Sequence, residues 1–110
     1  MSLPHASSGD IVDLRRLDEQ RRQVPSLALL RTDHLEVMRL MLPKGKSFPD
    51  HHVDGECTIL CIEGEVELHA HGREQRMKID QIVYLGPKVQ HALVAVEDAS
   101  VLVTILRNQT

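Results

Sequence analysis

From residue 65 to residue 71 the chain alternates without a break. Val66, Leu68 and Ala70 fall on one side, and Glu65, Glu67, His69 and His71 on the other. A period of two over this length predicts a half-buried β-strand, because successive side chains of an extended chain leave opposite faces. The following HGRE (71–74) reads as its hairpin turn. Further apolar runs are SLALLR from Ser26, LEVMRLML from Leu35, IVYL at 82–85, HALVAV at 91–96 and VLVTIL at 101–106. Thr32-Asp33-His34, PKGKSFPD, GPKVQ and EDAS separate them, and these carry turn and loop chemistry. About eight short strands at regular intervals with no long helix predict an all-β antiparallel sandwich or barrel. Residues 11–24, IVDLRRLDEQRRQV, fit a short helix or a strand followed by polar coil. Residues 1–10 have Pro4, Gly9 and no periodicity, and are expected to be disordered.

With 110 residues, the chain has room for one core. Only Phe48 and Tyr84 are aromatic, so Leu, Val, Ile and Met must fill that core, and stacking platforms for bases are scarce. The net charge is −3, and the pairs Arg15-Arg16 and Arg21-Arg22 are interleaved with Asp13, Asp18 and Glu19, which disfavours nucleic acid as a partner. No apolar stretch approaches the roughly 20 residues that span a bilayer, so no membrane partner is expected. The opening MSLPHASSGD lacks a charged and an apolar leader region, which predicts no export. Cys57 and Cys61 on one strand would have α-carbons about 13 Å apart, beyond the reach of a disulfide. Two free thiols fit a reducing cytoplasm.

Candidate chemistry concentrates in SFPDHHVDGECTIL, residues 47–60. On an extended chain His51 and Val53 share a face while His52 points away, so the adjacent histidines form a poor chelate unless a bulge breaks the pleat. Past Asp54-Gly55, the residues Cys57, Ile59 and Cys61 share a face, and Glu56 tends to the opposite one. His52 and Glu56 suit an outer surface pair, His69 and His71 a solvent face, and Cys61 a small buried hydrophobe. No spacing suggests a hydrolase triad, and no glycine-rich phosphate loop is present.

The frame of these residues resembles the small single-domain cupins, double-stranded jelly rolls of the kind seen in sugar epimerases and quercetin-dioxygenase-like proteins. The first motif of that family runs glycine, five residues, His-x-His, three or four residues, Glu, six residues, glycine. Gly45, His51 and Gly64 keep it, with Val53 in the second histidine slot and Cys57 in the glutamate slot. The second motif runs glycine, five residues, Pro-x-Gly, two residues, His, three residues, Asn. It falls on Asp80, Gly86, Lys88, His91 and Ala95, of which only the histidine is retained. The resemblance covers roughly residues 26–107 and implies a jelly-roll barrel over 26–110, preceded by a partly disordered or strand-swapped arm over 1–25.

The resemblance also implies a metal position holding iron, manganese, nickel or zinc. His51 and His91 are its candidate ligands, with Cys57, Glu56 and His52 as further possibilities. Val53, Ile59, Cys61, Arg39 and Tyr84 are the candidate ligand-lining residues. The expected function is binding of a small molecule in the barrel, with or without a weakly held divalent metal, by a homodimer. The alternatives are a metal-dependent dioxygenase-like enzyme acting on a small organic substrate and a metal-free isomerase or epimerase using a histidine base.

Overall fold

The computed structural model describes residues 5–14, 26–51 and 54–107, with the backbone alone at 49–51. Among the described residues nine strands follow in order: β1 (Ser26–Arg31), β2 (Leu35–Leu42), β3 (Ser47–His51), β4 (Cys57–Glu63), β5 (Glu65–Ala70), β6 (Arg73–Lys78), β7 (Ile82–Leu85), β8 (His91–Ala95) and β9 (Ala99–Leu106). All pairings are antiparallel. They make a five-stranded sheet, β1-β2-β9-β4-β7, and a four-stranded sheet, β3-β8-β5-β6. The inner faces close on one another as the sequence alternation requires: Val66 and Leu68 meet Leu40, Ile59, Leu93 and Val101 in a core of aliphatic side chains. No helix among the described residues is long and apolar enough to cross a membrane.

Three local expectations change. PKGKSFPD is a loop only over its first half, because the chain enters β3 at Ser47. Pro49 is tolerated there because β3 is an edge strand and its register slips between Phe48 and His51. HGRE is not a four-residue turn. His71 and Gly72 alone reverse the chain, both in the left-handed region at φ 55° and 74°, as a two-residue hairpin demands. His71 therefore belongs to the turn rather than to β5, and Arg73 already opens β6. Strand β6, REQRMK, is polar apart from the buried Met77, so it carried no apolar signal. Its charges suit an edge that must not pair further.

The outer faces of the two sheets differ in chemistry. Across the five-stranded sheet, register partners form the row Leu27, Arg39, Leu102, Leu60, Ile82 and the row Leu30, Val37, Thr104, Thr58, Tyr84. Arg39 is the one charged residue in the two rows. The outer face of β5 and β6 carries instead Glu65, Glu67, His69, Glu74, Arg76 and Lys78.

Part of the arm lies against the barrel. Ala6 N donates to Leu29 O at 2.9 Å, and Arg39 Nη1 donates to Leu14 O. Residues 15–25, which carry most of the helix-or-strand question, lie outside the described residues.

Candidate functional site

The interior site begins with two strand ends. His91 opens β8 and Cys57 opens β4, each only 3 % exposed. They are the polar members of a small, partly open cavity of about 30 Å³, whose apolar wall includes Met38, Phe48, Ile59 and Val103. That volume is enough for at least one water-sized group.

The His91 ring is held in one orientation. Its Nδ1 lies 3.0 Å from Val89 O, and a carbonyl can only accept, so Nδ1 carries hydrogen. In the neutral ring the lone pair then resides on Nε2. Burial pushes the Cys57 thiol above its ordinary range, because a thiolate loses hydration in this apolar setting. Position 51 stands directly opposite His91 across the β3–β8 ladder. The His51 side chain, and His52 and Val53 entirely, lie outside the described residues.

The remaining candidates separate. Ile59 lines the cavity with Cys57. Cys61 is fully buried but does not line this cavity; its sulfur instead meets Glu63 O and Gly64 O, at 3.4 and 3.5 Å. Its thiol is also raised, first by burial. Glu56 and Tyr84 are on the outside. Tyr84 pairs with Thr58 in the ladder, so it takes the face opposite to Cys57 and Leu85, and its side chain is 59 % exposed. Its hydroxyl donates to Glu56 Oε2 at 2.7 Å, a bond that raises the Tyr84 pKa by stabilising the neutral phenol beside a carboxylate. Tyr84 is thus a partner for Glu56 rather than a lining residue, and Glu56 is directed away from the interior.

Arg39 is also on the outer face, yet only 2 % exposed. Its guanidinium donates to Ser100 Oγ, Leu14 O and Glu63 Oε1, the last at 2.9 Å. The residue suited by sequence to a ligand therefore holds the arm. Strand parity explains it: Arg39 pairs with Leu102, while Leu40 pairs with Val101 and points inward.

A second group of metal-donor side chains was not foreseen as a group. Glu67, His69 and Glu74 bring donor atoms within 4.8 Å of one another on the outer face of β5–β6. His69 Nε2 donates to Glu67 Oε1 at 2.8 Å, and His69 Nδ1 is 3.8 Å from Glu74 Oε2. Arg76 lies 3.6 Å from Glu67 and 2.9 Å from Glu65. The imidazole presents different nitrogens to the two carboxylates, and a guanidinium occupies part of the field. The grouping is an ion-pair network first. Its signal in the sequence was the short turn, which makes His69 and Glu74 cross-strand partners.

The turn conformations test the motif frame independently of side-chain identity. Its four glycine slots are Gly45, Gly64, Asp80 and Lys88, and all are left-handed, at φ 83°, 70°, 69° and 61°. The backbone has kept the motif geometry where two glycines have been replaced.

The Cupin domain family matches the chain over residues 38–106. No curated protein sequence matches it. Among solved structures, a cupin superfamily protein from Desulfitobacterium hafniense superposes with a TM-score of 0.81 at 19 % identity, covering 98 % of this chain and 100 % of that one. A conserved protein of unknown function from Streptococcus pyogenes gives 0.78 at 19 % identity, covering 100 % and 97 %. KdgF from Halomonas sp. gives 0.69 at 18 % identity, covering 76 % and 77 %. At these identities the likeness concerns the fold. With the family match spanning more than half of its length, the chain belongs to the cupin family.

Proposed function

We propose that this cupin binds a small molecule in its barrel, anchored at the interior point between His91 and Cys57, where a divalent transition metal is weakly held. The carrying observation is the His91 Nδ1 contact with Val89 O. A backing carbonyl of this kind fixes ring direction and leaves Nε2 as the ligating atom, the arrangement found behind most metal-binding histidines. The donor set fits iron, manganese, nickel or zinc in kind, since imidazole accepts them all and sulfur favours the softer ones. Two described donors in an apolar-walled cavity of about 30 Å³ leave the coordination sphere incomplete, and the raised Cys57 thiol must lose its proton before it can ligate. Both facts favour modest, pH-dependent affinity.

The cavity of about 30 Å³ accepts an ion or a group of a few atoms. Organic ligands need a few hundred Å³, so only one small group of such a ligand would enter this cavity. A dioxygenase centre would need a carboxylate beside two histidines. Glu56 is bonded to Tyr84 outside, so this reading has no carboxylate at His91 among the described residues and would have to take Cys57 as its third ligand.

Untagged protein loaded anaerobically with iron(II), or with zinc(II), should take up close to one equivalent by elemental analysis. His91→Ala should weaken that uptake at least tenfold, as loss of even an outer partner does. Val53→His should strengthen it by restoring the third imidazole of the motif. Equal uptake by wild type and His91→Ala would overturn the reading.

The same reading includes a homodimer formed through the outer face of the five-stranded sheet. Its apolar rows, against the charged face of β5–β6, support that choice of surface.

A further inference from the structure

The outer face of the β5–β6 hairpin holds an imidazole with one nitrogen satisfied and the other turned to a carboxylate. His69 Nε2 donates to Glu67 Oε1 at 2.8 Å, which leaves the lone pair of the neutral ring on Nδ1. Nδ1 stands 3.8 Å from Glu74 Oε2, too far for a hydrogen bond, and this is the one ion-pair contact of Glu74 among the described residues. Two electron pairs thus face each other, which is favourable only with a cation to join them. Arg76 is not that cation. Its nitrogens lie 2.9 Å from Glu65 Oε2 and 3.6 Å from Glu67 Oε2, the oxygen that His69 does not use.

We propose that His69 Nδ1 and the Glu74 carboxylate hold a zinc-like divalent transition-metal ion on the outside of the barrel, with Glu67 positioning the ring from behind. A carboxylate that accepts from the far nitrogen is the usual support of a ligating histidine. Zinc bonds to nitrogen and oxygen at 2.0–2.2 Å in a tetrahedron, so its ligand atoms stand about 3.4 Å apart. Closing the 3.8 Å gap to that value takes a small rotation of the Glu74 side chain, which is 65 % exposed. One imidazole with carboxylate oxygen suits zinc and its first-row neighbours better than calcium or magnesium, which favour oxygen throughout.

The fold supplies this arrangement without strain. The two-residue turn makes His69 and Glu74 direct cross-strand partners and keeps Glu67 on the same face. On its other side His69 pairs with Ala92, whose methyl group leaves the flank of the ring uncovered. An open cleft of about 970 Å³ runs there, and His69, Glu74, His71 and Gln90 are among the residues lining it. The remaining coordination positions are therefore accessible to water or to a ligand from solution.

The ion is exposed and exchanges freely, so the test is an equilibrium titration of the full untagged chain with zinc(II), read by calorimetry and by NMR of the histidine nitrogens. In the wild type, zinc should shift His69 Nδ1 and leave Nε2 bonded to Glu67. With His91→Ala as background, which removes the interior histidine, one zinc site should remain. Adding His69→Ala or Glu74→Gln should weaken it by roughly tenfold or more, and Glu67→Gln, which keeps an acceptor but loses the charge, by about tenfold. These three changes lie on the outer face of one hairpin and leave the barrel core intact. Zinc binding of equal strength with and without His69→Ala would overturn the inference and leave the interior reading standing. Loss of all zinc binding in folded His91→Ala would overturn it too. Should His91→Ala not fold, the wild-type nitrogen spectrum decides alone: a His69 Nδ1 shift that answers to pH and not to zinc assigns the joining cation to a proton and ends the proposal.

Discussion

His91 and Cys57 acquire their properties from a few atoms each. One carbonyl, Val89 O, decides which imidazole nitrogen carries hydrogen, and the loss of hydration at the first residue of β4 decides that Cys57 rests as a thiol. Cys61 is raised by burial as well. Neither sulfur should therefore react with an aromatic disulfide reagent in the native protein at mildly alkaline pH. Two equivalents should appear once denaturant is added. Prompt reaction of one thiol before unfolding would show that its burial is not maintained in solution. The facing of Cys57, Ile59 and Cys61 was legible in the sequence because it follows from strand parity alone. The facing of Arg39 and Tyr84 was not, because parity gives no sign until one residue of the strand is known to point inward.

Glycines make the element-scale contrast. Gly64, between β4 and β5, and Gly72, in the β5–β6 turn, are both left-handed, at φ 70° and 74°. A β-carbon at Gly64 would stand 2.1 Å from Asp98 O, whereas one at Gly72 would meet nothing within 4 Å. Gly72→Ala should then cost only the left-handed penalty of about 1–2 kcal/mol. Gly64→Ala adds a backbone clash and should cost about 4 kcal/mol or more, enough to abolish folding in a marginal domain. Urea melts of the two variants measure the difference, and equal midpoints would contradict the close packing of the 64–65 turn on residues 97–99. At this scale the sequence was most legible where apolar alternation was strong, at β5, or where an apolar run was uninterrupted, at 82–85. It was least legible at β6, whose single inward anchor is Met77, and at β3, where Pro49 reads locally as loop. Both are edge strands, but so is β7, so what hid them is their own composition, polar in β6 and interrupted by Pro49 in β3.

At the scale of the whole molecule, ionisation should bound stability from both sides. On the acid side, the hydrogen bond from His69 holds the Glu67 carboxyl below its ordinary range, with Arg76 adding to the effect. A lowered folded pKa means a contribution that is complete above the ordinary carboxylate range and is lost as pH falls through the lowered value. On the alkaline side the sign reverses. The raised Cys57 and Cys61 thiols contribute below the ordinary thiol pKa, and the contribution disappears as pH rises toward their raised folded values. Thermal midpoints plotted against pH should therefore fall at both ends. Cys57→Ala should flatten the alkaline limb and His69→Ala the acid limb, each leaving the other limb in place. A Cys57→Ala profile parallel to wild type above the thiol range would remove burial of that sulfur as the cause.

The sequence by itself determined the strand periodicity, the aliphatic core, and the turn frame that placed His51 and His91 forty positions apart yet in the same motif register. These are local or spacing properties, and a chain carries them before it folds. The tertiary structure decided what depends on distance between strands. It set residue 51 opposite His91, brought His91 and Cys57 to one cavity, and turned Glu56 outward onto Tyr84. It also spent Arg39 on the arm instead of the interior. A side chain's partner lies across a sheet or on another segment, and only the closed barrel fixes which segment that is.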